Sequence, residues 1–376
     1  MLDLSRVVLL QPRSRRAYGQ DFLGAQMNTA SQFEVVSKVN GVYPIDQIDE
    51  GDIVVGQNPD DTEESRVLHE LSQKNKIVVF VHCQWEYYDD RQRKNVAHAL
   101  ENATIVITPA RFSTERLRRL FQKIPYWRTI DGCVDPELFH PSTRAERDEF
   151  RREHRLAGED KLVLFTGRLE PAKGTTILKD LCATLGRHFA IMVQYPDSDN
   201  VRERPALFQS YQDIRGIVEH HPKVAMFPDR DQRGPPRPVC FADIVVSPSL
   251  SEVQPLVLLE ALAAGVPYVG TDSTPEYADL QARFSDCAPL ADAIEIIGLP
   301  EGFRQGAVLR KTDINPADSK IIANRLAETL NRKAVPDDDA RAALSEEFLT
   351  RGFTIPARIQ NFRQALEGAL FEERLS

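Results

Sequence analysis

No apolar run in the chain approaches 18 residues, and with that goes any expectation of a membrane-spanning helix. A charged-then-apolar leader is lacking too, because Arg6 interrupts the start and the chain passes straight into Val7-Val8-Leu9-Leu10-Gln11-Pro12; the expected location is cytoplasmic. Cysteine is sparse. The five (Cys83, Cys133, Cys182, Cys240, Cys287) are scattered, odd in number and form no C-x-x-C pair, so neither a disulfide framework nor a zinc site is indicated, and reduced core residues are expected. An excess of positive charge is lacking as well. A net charge of −9 argues against a general nucleic-acid binder, which needs a basic surface to displace counterions. Internal repeats and low-complexity runs are not visible. What remains is the composition of a globular protein, 42% hydrophobic and 27% charged, in a chain of 376 residues that is too long for one ordinary core and so suggests two domains.

The most informative stretch runs from Ala242 to Asp272. Ile244 to Ser247 and Val266 to Gly270 read as buried strands, and Pro255 to Ala264 between them reads as a helix stopped by Gly265. Such a strand-helix-strand unit is of parallel type, and ligands sit at its strand ends beside the helix N-terminus. Glu252 lies just before the helix and Glu260 inside it, roughly 10 Å apart at ~1.5 Å per residue. They cannot form a close carboxylate pair on one bond, yet they could contact opposite ends of one long ligand.

A second stretch precedes it. Lys161 to Thr166 is a buried strand running into Gly167-Arg168-Leu169-Glu170-Pro171-Ala172-Lys173-Gly174, with Thr175 placed to cap the helix that follows. Arg168 and Lys173 at a helix entrance would hold a diphosphate with two fixed cations and the helix N–H groups. In the first half, strands are expected at 6–10, 33–37, 52–56, 76–81 and 104–108, and a basic helix at 113–122. His82 ends the fourth of these strands, where α/β proteins place functional groups; a hydrogen-bonded structural histidine is the competing reading. Trp85, Tyr87 and Tyr88 form either an acceptor platform or core packing. Arg13, Arg15 and Arg16 are left as a solvated loop. The basic helix is read as an ordinary surface helix, with a weak peripheral membrane contact kept as an alternative.

The segments SEVQPLVLLEALAAGVPYVGTD, GRLEPAKG, VFVHCQWEYY, NATIVITPARFSTERLRRLF and TIDGCVDPELFHP resemble those of family 4 retaining glycosyltransferases of the GT-B fold. The resemblance is weakest over the first 75 residues and most specific between Lys161 and Glu276, where the E-x7-E and G-R-x-x-x-x-K-G patterns lie. It implies an α/β protein of two Rossmann-like domains facing across a deep cleft. The acceptor-side domain would be 1–143 and the nucleotide-sugar domain 144–350, with a C-terminal helix in 351–376 returning to the first domain. It implies that Glu252 and His82 contact the donor sugar, that Arg168 and Lys173 hold the diphosphate, and that Glu260 meets the ribose. Met226 and Phe227 would lie beside the nucleobase, and Val253, Gln254, Pro255 and Leu256 would line the donor sugar and phosphate. Gly19 stands where relatives carry a glycine pair, and it joins Trp85 as an acceptor-side candidate.

The chain departs from the family at Asp131 and Cys133, at Gln194-Tyr195-Pro196 where a glycine turn is usual, at Thr274, and in a segment near 280–305 that reads as an insertion. The reaction implied is transfer of a sugar from a nucleotide-sugar donor, UDP-linked by preference, to a hydroxyl on a small-molecule, glycan or lipid-linked acceptor. No cofactor and no metal are expected, because Arg168 and Lys173 take the place of a cation, and Asp337-Asp338-Asp339 is read as a loop remote from the cleft. Nucleic acid is not an expected partner. A nucleotide-sugar epimerase, a sugar phosphorylase and a non-catalytic binding module of the same fold remain open at this point.

Overall fold

The computed structural model describes residues 7–9, 48–57, 59–60, 62–82, 85, 88–154, 156, 161–185, 189–196, 212–217, 224–229, 237–300 and 314–372. Gly19, the three arginines at 13, 15 and 16, the strand expected at 33–37, Cys83 and Tyr87 lie outside them. The chain divides into two compact units, Met1–Cys133 with Phe353–Ser376, and Val134–Gly352. The sequence placed the first boundary at 143.

In the first unit, short runs rich in Val and Ile become strands because a buried parallel sheet accepts apolar residues on both faces. The order is β1 (Val7–Leu9), β2 (Ile53–Gln57), α1 (Thr62–Leu71), β3 (Lys76–Phe80), α2 (Asp90–Glu101), β4 (Ile105–Thr108), α3 (Arg111–Leu120) and β5 (Tyr126–Thr129). The strands pair in parallel in the order β1-β2-β3-β4-β5. Period-two alternation then decides which partner each side chain meets. Val54, Ile77, Val79 and Val106 share a core with Val67, Leu68, Val96 and Leu100 of α1 and α2. Ile53, Val55, Val78, Phe80, Ile105 and Ile107 share the other with Phe362, Ala365, Leu366 and Ala369. Those four lie on the terminal helix Ile355–Glu372, so the end of the chain covers a face of the first sheet. At roughly 1.5–3 kcal/mol for each large side chain buried, this helix is held mainly by its apolar stripe.

The second unit runs α4 (Arg144–Glu153), β6 (Lys161–Thr166), α5 (Thr175–Thr184), β7 (Phe189–Pro196), β8 (Val224–Asp229), β9 (Ile244–Ser247), α6 (Leu256–Ala263), β10 (Tyr268–Thr271), α7 (Glu276–Phe284), α8 (Ala288–Ala293), β11 (Ile294–Ile297), α9 (Pro316–Arg332) and α10 (Asp338–Thr350). Its parallel strands lie in the order β11-β10-β9-β6-β7-β8. The chain lays β7 and β8 to one side of β6 and then returns to lay β9, β10 and β11 on the other. Strand order therefore reverses between β6 and β9. Helix α6 is apolar nearly all round, as a helix within a core must be, and Gly265 ends it with φ 66°. A Cβ on Gly265 would lie 2.3 Å from the Arg341 carbonyl oxygen, so both conformation and space require glycine there.

Three local expectations are corrected. Asp337 is not in a loop: its side chain caps α10 by accepting from the Ala340 N–H at 2.9 Å, and Asp338 and Asp339 form the first turn. Thr175 does not cap α5; it is the first helical residue, and Gly174 is the cap. Gln194-Tyr195-Pro196, the departure from the family's glycine turn, continues β7 and pairs in register with Phe227, Pro228 and Asp229. The segment at 280–305 is not a loose insertion over its described part, since it supplies the end of α7, then α8 and the edge strand β11. Of the five cysteines, the four described ones are buried and form no disulfide among the described residues.

A set of buried charges ties α4 and α10 to the start of β9. Asp243 takes ion pairs from Arg151 and, at 3.6 Å, from Arg341, and its Oδ2 accepts from the Leu162 N–H at 2.8 Å. Arg341 also donates to the carbonyls of Cys240 and Ala242 at 3.2 and 2.5 Å. Burial pushes its guanidinium down to about 10, still charged at neutral pH.

Candidate functional site

A reversal of strand order opens a crevice at the carboxyl ends of the two strands concerned, and open α/β sheets bind ligands there. In the second unit those ends belong to β6 and β9, and two loops rise from them, 167–174 and 248–255. Backbone bonds join the loops: the N–H groups of Leu250 and Ser251 donate to the Ala172 carbonyl at 2.9 and 3.3 Å. The contact is close because Gly174, at φ 71°, has no Cβ; one built there would sit 1.9 Å from the Pro248 carbonyl oxygen. A third loop, after β10, completes the frame. Its Ser273 carbonyl accepts from the Glu252 N–H at 3.1 Å, and the Thr274 hydroxyl donates to the Val253 carbonyl at 3.0 Å.

This frame brings Lys173 and Glu252 together across 79 residues of sequence. Lys173 Nζ donates to Glu252 Oε1 at 2.6 Å and to Oε2 at 2.7 Å. Ser249 Oγ donates to Oε1 at 2.8 Å. With side chains 24% and 15% exposed, the pair is shielded from bulk water yet within reach of a ligand. Arg168 lies on the same loop at the end of β6 and pairs with Glu170 at 2.8 Å; being 41% exposed, it is the more available cation. Neither Gly174 nor Pro255 supplies a side-chain bond to the helix it caps. The first-turn N–H groups of α5 and α6 thus add their partial positive charge to the crevice. Two cations, one carboxylate and two helix starts can grip an anionic group and, beside it, orient a hydroxyl-bearing one.

Val253, Gln254 and Pro255 are buried beside Glu252, and Leu256 is half-buried at the start of α6. Glu260 shares with Leu256 and Val257 the less buried face of α6, one turn on from Leu256. Met226 and Phe227 fall within β8, opposite Val193 and Gln194 of β7. In the first unit, His82 is buried just beyond the end of β3 and stacks on Phe80, with centroids 5.7 Å apart. Trp85 is partly buried against the sheet core, edge-on to Phe121 at 5.3 Å and to the buried Tyr88 at 6.2 Å. Tyr88 is therefore a packing residue. Ser249 was not singled out from the sequence, although its place three residues before Glu252 was the available signal. Among the described residues, no three His, Cys, Asp or Glu side chains form a metal-ligating group. Nor is any helix long and apolar enough to cross a membrane.

With this geometry in view, comparison with known proteins becomes specific. Residues 160–297, which hold both loops of the crevice, match the family model of Glycosyl transferases group 1. Over that stretch the chain is similar to group 1 glycosyl transferases. Over 136 residues it is 32% identical to the D-inositol 3-phosphate glycosyltransferase of Mycobacterium marinum, a match spanning 36% of this chain and 28% of that protein. It is 31% identical over 153 residues to the enzyme of the same name from Corynebacterium urealyticum, spanning 37% and 33%. The chain thus aligns with about a third or less of these relatives' length. Likeness of fold extends further than residues 160–297. Anabaena HepE in complex with UDP and glucose superposes with a TM-score of 0.68 at 14% identity, covering 96% of this chain and 99% of that one. Sucrose-phosphate synthase from Thermosynechococcus elongatus does so with 0.63 at 18%, covering 97% and 81%. The two units are the two Rossmann-like halves of a GT-B fold.

Proposed function

We propose that this protein is a retaining glycosyltransferase that moves a sugar from a nucleotide-sugar donor, a UDP-sugar by preference, to an acceptor hydroxyl. The observation that carries the reading is the Lys173–Glu252 pair, with Arg168 on the same loop, at the β6/β9 crevice of the stretch that is similar to group 1 glycosyl transferases. Breaking a sugar–diphosphate bond develops negative charge on the leaving phosphate. Arg168, Lys173 and the starts of α5 and α6 stabilise that charge where it forms. They do so without a metal ion. Glu252 orients the sugar through its hydroxyls, and Glu260 meets the ribose. The acceptor oxygen attacks from the face the diphosphate leaves, so the anomeric configuration is kept. UDP is the favoured nucleotide because HepE, one of the structural neighbours, is described with UDP-glucose and with UDP.

The test begins with thermal unfolding of the full chain against UDP, GDP and ADP and their sugar conjugates. One nucleotide should raise Tm by several degrees at about 100 times its Kd. Transfer or slow hydrolysis of that donor is then followed by NMR of the anomeric proton. An inverted first product would refute retention. A chain that binds no nucleotide would refute the reading as a whole. Stimulation of turnover by added divalent ions after exhaustive chelation would refute its metal independence.

A further inference from the structure

Glu252 has a further partner in the crevice besides Lys173. Ser249 Oγ donates to Glu252 Oε1 at 2.8 Å, and the direction of the bond is fixed because a carboxylate only accepts. Ser249 is 1% exposed, so it does not reach a ligand itself. Whatever it does for a ligand, it does through Glu252.

The surrounding backbone makes this hydroxyl a rigid donor. Ser249 stands two residues beyond the end of β9, and its carbonyl accepts from the hydroxyl of Thr271, a fully buried residue of β10. The next residue, Leu250, donates its N–H to the Ala172 carbonyl at 2.9 Å, one residue before Lys173. Glu252 in turn donates its N–H to the Ser273 carbonyl at 3.1 Å. The main chain of both residues is thus pinned by bonds that need no ligand.

We propose that Ser249 is a positioning residue for Glu252, one that decides which carboxylate oxygen is offered to the donor sugar. The proposal rests on the reading of Glu252 as the contact to that sugar. Lys173 bonds both oxygens, at 2.6 and 2.7 Å, whereas the Ser249 bond goes to Oε1. A diphosphate that draws Lys173 away removes a symmetric restraint and leaves an asymmetric one. Oε1 remains the held oxygen, and Oε2 is the one turned to a sugar hydroxyl. The terminal torsion of a glutamate is broad and twofold, so without Ser249 the carboxylate is less restrained once its cation has moved. Its aim then loosens at the step in which charge develops on the diphosphate.

Kinetics on the full chain with the nucleotide sugar test this. Ser249→Ala should lower kcat about 10-fold or more, the size of a hydrogen bond to a charged group. The Kd for UDP, which has no sugar to orient, should stay at the wild-type value and so report an intact crevice. In the Glu252→Ala background the same change should cost nothing further, because the residue it acts through is gone. A second readout needs no donor. In protein labelled with carbon-13 at glutamate Cδ and kept without nucleotide, the Glu252 signal is identified by its loss in Glu252→Ala, and it should move in Ser249→Ala. Full kcat in Ser249→Ala would overturn the proposal, as would equal losses of kcat and UDP affinity, the mark of a merely structural role. Additive losses in the double variant, or a Glu252 signal indifferent to Ser249→Ala, would overturn it too. If wild-type protein turned over no nucleotide sugar while that signal still moved, the transferase reading would fall and the hold of Ser249 on Glu252 would stand.

Discussion

Replacing Glu252 by glutamine should tighten the binding of UDP while abolishing most turnover, a pair of effects that separates competition from catalysis. In the structure Lys173 is engaged by both Glu252 oxygens, at 2.6 and 2.7 Å. A diphosphate must take this cation from the carboxylate and must also approach the carboxylate's charge. At about 3 Å and an effective dielectric near 20, the gross attraction between the two is ~5 kcal/mol. Most of that is returned as water and ligand solvate the separated groups, leaving a net contribution of about 1.5–3 kcal/mol, typical of a charged hydrogen bond. With the charge of Glu252 removed, that amount is released to the incoming phosphate, and the UDP Kd should fall by about 10- to 100-fold at 1.4 kcal/mol per decade. Turnover of the sugar donor should fall at least ~100-fold, since the contact to the reacting sugar is lost. Isothermal titration of UDP at fixed ionic strength, paired with kinetics on the same preparation, measures both. UDP binding that is unchanged or weaker in Glu252→Gln would refute the argument, because it would mean that Lys173 does not exchange between carboxylate and phosphate. Lys173→Met should move UDP affinity in the opposite direction.

Other changes test the frame. Gly174→Ala forces a Cβ into a gap of 1.9 Å at φ 71° and should cost about 1–3 kcal/mol or more, read as a lower Tm and weaker UDP binding together. Asp243→Ala strands the buried guanidinium groups of Arg151 and Arg341 and should cost about 3–5 kcal/mol in urea unfolding, without changing UDP affinity in the protein that stays folded. Burial pushes the Cys182 thiol up to about 12 and the Cys240 thiol to about 11, so neither should react with a thiol reagent at pH 8 until the protein unfolds. Because these folded values lie above the ordinary thiol value, the native state holds more protons than the unfolded state in alkali. The stability the two thiols lend is full below about pH 8.5 and declines as pH rises toward 12, which unfolding midpoints between pH 8 and 11 should show.

Much of the second unit was legible in the residues alone. Buried parallel strands such as Leu162–Phe165 and Ile244–Val246 are continuous apolar runs that nothing but a covered sheet accommodates. Gly265 marks the end of α6 because an αL residue and a close approach were both needed there. Arg168, Lys173 and Glu252 stood out because GRLEPAKG and the E-x7-E spacing resemble family motifs, charge in a loop after a strand being ordinary by itself. Signals that depend on partners distant in the chain were not legible. The edge strand β11 is too short to be distinguished by periodicity from the helix before it, and it becomes a strand by pairing with β10. Gln194 to Pro196 extends β7 because β8 lies alongside, which overrides the turn propensity of proline. Asp337 to Asp339 reads as loop by composition, yet caps a helix whose Arg341 is buried against β9.

The sequence by itself determined that two parallel α/β units would form and which loops would carry charge, since both follow from local composition and strand-helix alternation. Only the tertiary structure decided that Lys173 and Glu252 share two hydrogen bonds and that Ser249 steadies one carboxylate oxygen. Those contacts join residues 173, 249 and 252, which meet because the sheet reverses its order between β6 and β9. That reversal is a property of how strands are laid side by side, which no local pattern of side chains records.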